Sequence, residues 1–245
     1  HTVYSDGNGT IEDNVKSAFN KGLKQIAITE HSFSHMSFGL KRHEFDEYRE
    51  QILKIKKKYK TPEVLLGIES NLMDLNGKID ITKEERKNFD VLIVGYHKAY
   101  WPTGIKNFFN FFLPNTARIF KAGKKRRELN TNAYINAIKN NEIDIIAHLN
   151  ANGCTVNCVE IAKVAKEYNT YIELNGKRIF FTDNEMLEMV KTGVKFIISS
   201  DAHYPERVGK NNKAINLIER LNIPHDQVAN LDKIPEFKYY NKKKT

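Results

Sequence analysis

Only two cysteines, Cys154 and Cys158, occur in 245 residues, too few and too isolated for a closed four-cysteine zinc site. Four apart near a helix start, they read as buried or partly buried thiols without a catalytic role. No stretch approaches the roughly eighteen consecutive apolar residues of a spanning helix. The most apolar, residues 105–113 (IKNFFNFFL), is broken by Lys106, Asn107 and Asn110. Proline-rich or Gly/Ser-rich linkers and low-complexity blocks are missing as well, so one domain over residues 1–245 is the simpler expectation. An initiator methionine is also missing: the sequence opens on His1, and whatever precedes it lies outside this chain. What is present, 40% hydrophobic residues, suffices for a sizeable core, and the expected location is cytoplasmic.

Thirty-nine Lys and Arg against thirty Asp and Glu give a net charge of +9, a field that attracts phosphorylated metabolites, nucleic acid or acidic lipid. Much of the excess sits in runs at 54–60, 121–127 and 238–244, and such runs also occur simply as solvated helix faces and tails.

Short runs rich in Ile and Val alternate with segments of helical spacing, which implies repeated βα units around a parallel sheet. Strands are predicted at 25–31, 63–70, 91–97, 143–149, 170–175 and 195–203, and helices at 11–22, 43–60, 131–141, 156–168, 183–192 and 210–221. Thr10 with Asp13, and Thr182 or Asp183, are predicted helix starts, and Gly22 and Gly193 predicted ends. Residues 99–130 break the pattern. They carry the only tryptophan, phenylalanine at four of the five positions 108–112, Phe120 and a basic cluster, and read as an insertion over one face of the domain.

The strands end on Glu30 and His31, then Glu69, His97, His148, Glu173 with Asn175, and Asp201 with His203. In parallel α/β sheets and barrels the site forms at the carboxyl ends of the strands, so these residues are expected to meet in space. Four of the eight histidines fall at strand ends and His1 opens the chain; His35, His43 and His225 lie elsewhere. Unpaired carboxylates such as Glu69 and Asp201 are costly at buried strand ends, and a bound cation removes that cost. A mixed imidazole and carboxylate set suits Zn, Mn or Fe.

The segments "HTVYSDG", "ITEHS", "GIES", "GYHK", "AHLN" and "SSDAH", spread over about residues 1–210, together resemble the PHP family, the domain shared by bacterial polymerases and histidinol phosphatases. That resemblance implies a distorted (β/α)7 TIM-like barrel whose strand ends hold up to three divalent metals that hydrolyse phosphoesters. It implies His1, Asp6, His31, Glu69, His97, His148, Asp201 and His203 as metal ligands, with Glu69 and Asp201 central to catalysis and Glu69 bridging two metals. Because the family opens with His-x-His and Val3 follows here, His1 resembles the second histidine of that pair. The first would lie two residues upstream, with most of the first strand.

Metals in such a cluster acidify a water and neutralise phosphate oxygens, and basic groups at the mouth hold the remaining oxygens. Lys98, Lys177, Arg178 and Arg207 are placed for that work. The leading expectation is a phosphatase acting on a small phosphorylated molecule. A nuclease acting on nucleic-acid ends ranks second, favoured by the charge and the aromatic insertion, and a non-catalytic binding module third. The aromatic run is expected to pack on the domain, a second subunit or an apolar part of the substrate, beside the site mouth.

Overall fold

The computed structural model describes residues 1–117 and 123–244. Six parallel strands follow one another in sequence order: β1 (Gln25–His31), β2 (Glu63–Asn71), β3 (Val91–Gly95), β4 (Ile145–Ile146), β5 (Tyr171–Asn175) and β6 (Phe196–Ser199). Helix α1 (Ile11–Asn20) precedes β1; α2 (Phe45–Lys58), α3 (Lys124–Asn140), α4 (Cys158–Glu167) and α5 (Asp183–Thr192) run between strands; α6 (Asn212–Arg220) follows β6, and α7 (Lys238–Lys244) closes the described chain. Thr10 and Thr182 cap α1 and α5 through reciprocal bonds with Asp13 and Glu185, as their spacing predicts. Gly193, at φ 74, ends α5 in the left-handed conformation that glycine adopts without cost.

Period-two alternation gives each strand two apolar faces. Ile28, Leu66, Leu92, Ile146, Ile172 and Phe196 pack outward in one large cluster with the helices, while Leu65, Ile93, Ile145, Ile197 and Phe237 form a second cluster on the other face. The sheet curls around this inner cluster. In a flat sheet β2 and β6 would stand about 19 Å apart, four strand spacings. Here His1 Nε2 lies 3.3 Å from Glu69, at the end of β2, and 3.5 Å from Asp201, just past β6. The result is an open α/β barrel, with a cavity of about 580 Å³ lined by β1, β6 and residues 230–237.

The described residues hold the six strands expected from the sequence, which leaves the count of seven implied by the resemblance unconfirmed. β4 is two residues long rather than seven, because the chain leaves the extended region at His148, φ 29, and Asn150, φ 69. Helix α3 starts at Lys124 rather than 131, so residues 124–130 belong to a barrel helix and not to an insertion. The rest of that segment forms short helical turns over residues 104–116, with the Phe108–Phe112 turn in π geometry. Phe111 is fully buried, 5.5 Å from the Tyr96 ring, and Phe112 lies 5.1 Å from Tyr100, so the aromatic run packs on the barrel. Trp101, Ile105 and Phe109 stay exposed; Phe120 and Lys121 lie outside the described residues. Both cysteines are buried, and burial pushes the Cys158 thiol up to about 12 and the Cys154 thiol higher still.

Candidate metal centre

The parallel register sets the ends of β1, β2 and β3 side by side, with His31 opposite Glu69 and Glu69 opposite Ile93. Alternation then sorts the side chains. Glu30 faces away from the centre and is fully buried, accepting from Thr2 N at 2.9 Å, Thr2 Oγ1 at 2.7 Å and Ser5 Oγ, which folds the opening turn onto the barrel. His1 is held there by Asn14 Nδ2, which donates to its carbonyl at 2.9 Å. Gly95 leaves room for His148: a Cβ at that position would lie 2.6 Å from His148 Cε1.

All eight side chains singled out as ligands come together. His1, Asp6, His31 and His203 form one group whose ligand atoms lie within 4.8 Å of one another, and His31, Glu69 and His97 form a second. Asp6 Oδ2 is 3.1 Å from His203 Nε2 and 3.5 Å from His31 Nε2. Glu69 reaches both groups. Its Oε2 stands 3.3 Å from His1 Nε2 and 3.8 Å from His31 Nδ1, and its Oε1 stands 3.2 Å from His97 Nε2 and 3.0 Å from His148 Nε2. Asp201 joins through His1 and His203, both at 3.5 Å. His148 and Asp201 adopt φ of 29 and 46, uncommon for residues other than glycine.

The electrostatics are those of a crowded anionic and imidazole cluster. Burial alone would raise the Glu69 carboxyl, yet the imidazoles of His97, His1 and His148 hold it well below the usual carboxylate range. Burial likewise opposes a charged His148, but Glu69 outweighs it and lifts the imidazole to about 9. Glu173, fully buried and accepting from the His148 backbone N–H at 3.0 Å, is pushed up to about 7 by burial. Two atoms in the cluster, Asp6 Oδ1 and His31 Nδ1, are buried with no hydrogen-bond partner. An orphaned carboxylate oxygen and an orphaned imidazole nitrogen in one cluster are what a divalent cation satisfies, so this donor set fits Zn, Mn or Fe.

Of the four basic residues expected at the mouth, Lys177 reaches the cluster, with Nζ 3.3 Å from Asp201 and 2.7 Å from His203 Nδ1. Arg178 instead lays its guanidinium 4.9 Å over the Phe180 ring. Lys98 is half-buried directly after His97, and Arg207 is exposed in the short turn Pro205–Arg207. In the basic cluster, Arg126 donates to Asn110 O at 2.6 Å, and Arg127 to Val156 O and Glu185 at 2.9 and 3.1 Å. Two contributors carry no such mark in the sequence. His35 stacks on His31 at 5.0 Å, and burial pulls its imidazole down to about 4. Asp80 sits at the end of an Asn-Gly turn, a signal that reads as a hairpin and nothing more.

The PHP domain matches residues 1–179 of this sequence. A probable phosphatase from Caldanaerobacter subterraneus subsp. tengcongensis is 31% identical over 249 residues, spanning 97% of this chain and 88% of that protein. A probable phosphatase from Clostridium botulinum is 28% identical over 99% of this chain and 93% of its own length. Among solved structures, histidinol phosphate phosphatase from Lactococcus lactis, in complex with zinc, L-histidinol and phosphate, superposes with a TM-score of 0.64 at 21% identity, covering 91% of this chain and 92% of the other. With the domain match spanning most of its length and its strand ends gathering imidazoles and carboxylates, the chain belongs to the PHP domain family.

Proposed function

We propose that this chain hydrolyses a small phosphomonoester at a centre of two or three divalent metals, Zn, Mn or Fe, held by His1, Asp6, His31, Glu69, His97, His148, Asp201 and His203. The observation that carries the reading is Glu69, whose two carboxylate oxygens face two different ligand groups that share His31. Probable phosphatases covering nearly the same length support the reaction class, a phosphoester hydrolase. Bound there, the metals supply Lewis acidity toward phosphoryl oxygens and acidify a water. The chain's own contribution is charge and position. Lys177 brings a cation to the rim beside Asp201 and His203, where it holds a phosphoryl oxygen. Glu69 and Asp201 keep the imidazoles oriented, and the buried ends of β1 to β3 exclude bulk water from their side of the cluster.

Small substrates are favoured over nucleic acid because Arg126 and Arg127, the described arginines of the basic run, are engaged by the protein's own carbonyls and Glu185 rather than free to track a backbone. We read residues 1–245 as one domain, with Trp101, Ile105 and Phe109 as the surface on which a second copy or an apolar substrate group would rest. Among the described residues no helix is long and apolar enough to cross a membrane.

The test is turnover of p-nitrophenyl phosphate and a panel of phosphorylated metabolites by the full-length protein with Mn and with Zn, beside nucleotide release from single-stranded DNA. Glu69→Gln is expected to keep the fold and lose turnover by about a thousandfold or more, on the order of a lost catalytic group. Efficient DNA degradation with phosphomonoesters untouched would replace this reading with the nuclease.

A further inference from the structure

Resting on the metal-centre reading, we propose that Asp80 is the positioning residue that presets the second ligand group, His31, Glu69 and His97, from outside the cluster. The Asp80 carboxylate collects the chain just past two of these ligands and reaches the third through Asn71. Its Oδ2 accepts from Ser32 Oγ at 2.5 Å, from Ser34 N at 3.1 Å and from Ser34 Oγ; its Oδ1 accepts from Ser70 Oγ at 2.5 Å and Asn71 N at 2.9 Å. Ser32 follows His31, and Ser70 follows Glu69. The third ligand is reached through Asn71. Its amide Nδ2 donates to Ser34 Oγ at 3.0 Å and to Asp80 Oδ2 at 3.3 Å, which turns its Oδ1 onto His97 Nδ1 at 2.6 Å.

A carbonyl oxygen only accepts, so His97 carries its proton on Nδ1 and presents the Nε2 lone pair toward Glu69, 3.2 Å away. Outer partners of this kind fix the tautomer and ring orientation of a ligating histidine. One acidic side chain thereby ties together three strands at the point where each delivers a ligand. Only a carboxylate satisfies all the donors. An asparagine at 80 would set its NH₂ against Asn71 N–H in one orientation and against Ser34 N–H in the other.

The fold delivers Asp80 rigidly. After β2 the chain makes a hairpin, with Leu72 bridging Ile79 and Met73 N donating to Lys78 O at 2.8 Å. Asp74 Oδ1 organises the turn by accepting from Asn76 N at 2.9 Å and Lys78 N at 3.0 Å. Gly77, at φ 79, closes it against α3, where a Cβ would lie 2.2 Å from Ala137 N. The hairpin returns Asp80 to the strand end it left.

The test compares full-length wild type, Asp80→Asn and Asn71→Ala, each metal-free and titrated with Zn against a competing chelator, with His97 followed by long-range ¹H–¹⁵N correlation. Wild-type His97 is expected as the Nδ1–H tautomer even without metal. In Asp80→Asn one metal position should weaken about 10- to 100-fold while the remaining affinity holds, and the His97 signals should move toward mixed tautomers. Asn71→Ala leaves the Ser32 and Ser70 bonds in place and should reproduce the His97 change, which carries the test if Asp80→Asn does not fold. An unchanged His97 tautomer in these variants, or undiminished Zn affinity in Asp80→Asn, overturns the assignment. Wild type that binds no metal at all would instead refute the proposed function, while the metal-free tautomer comparison would still decide the role of Asp80.

Discussion

Adding one methyl group at Gly95 probes the centre without replacing any of its proposed ligands. A Cβ there would sit 2.6 Å from His148 Cε1, 3.0 Å from His148 Nε2 and 3.3 Å from Ala147 Cβ. Carbon atoms in contact rest about 3.5–4.0 Å apart, so the imidazole must retreat by roughly 1 Å. It cannot do so without losing Glu69 Oε1 at 3.0 Å and His97 Nε2 at 3.2 Å, and its backbone is held by the Glu173 carboxylate. A displacement of that size costs about a hundredfold in rate where reacting groups must be aligned. Overpacking of a buried strand adds a stability loss of about 1–3 kcal/mol, which leaves the protein folded. Gly95→Ala is therefore expected to melt cooperatively a few degrees lower, to bind less metal by mass spectrometry, and to lose p-nitrophenyl phosphate turnover about a hundredfold. Wild-type turnover with a full metal complement would show that His148 does not serve the centre, and the geometry built around Glu69 would need revision.

Other perturbations separate the mouth from the scaffold. Lys177→Ala should leave metal content unchanged and lower kcat/KM about tenfold, mostly through KM, as expected for one charge-assisted contact of about 1.5 kcal/mol; unchanged kinetics would remove Lys177 from the substrate's path. At the opposite end of the barrel, Arg86 and Asp144 meet at 2.6 Å and are 3% and 1% exposed. Arg86→Met should cost about 3–5 kcal/mol in urea unfolding, because it leaves Asp144 a buried charge without its partner; a loss below about 1 kcal/mol would contradict that burial. Burial beside this pair, only partly offset by Asp144, pulls the Lys238 ammonium from its usual 10.5 to about 8. Between those values the unfolded chain holds more protons than the folded one, so stability should rise from pH 8 to pH 10.5, by up to about 3 kcal/mol. Lys238→Met should flatten that rise in urea midpoints at pH 7.5 and 10; an identical slope in both proteins would place Lys238 in water.

The convergence of the candidate ligands was legible because chemistry-bearing residues recur at one end of successive apolar runs, and parallel strands bring those ends together whatever lies between. Glu30 shows the limit of that logic. It occupies a strand end yet faces outward, since adjacent positions point to opposite faces, and it folds the first turn instead of joining the cluster. Asp80 was invisible for a different reason: its importance comes from where a hairpin returns, and a turn aspartate carries no mark of the distant serines that find it. Helix α3 reads short in the sequence because its first two turns are a lysine and arginine run without an apolar stripe; contacts from Arg126 and Arg127 to neighbouring carbonyls hold it there. The fourth strand reads as seven residues because "IDIIAHL" is largely apolar, whereas the chain bends at His148 to aim its ring.

That bend sets two selective pressures against each other. Non-glycine residues held at positive φ, His148 and Asp201 among them, cost on the order of 1 kcal/mol or more, a cost that glycine would relieve. Yet glycine at either position would carry off a proposed ligand with the strain. A lineage drifting toward greater heat resistance therefore cannot harvest stability at these positions while the reaction is still needed, and must find it elsewhere in the barrel. Loss of the reaction would release the constraint, so glycine at 148 or 201 in a relative would mark a barrel that has outlived its chemistry.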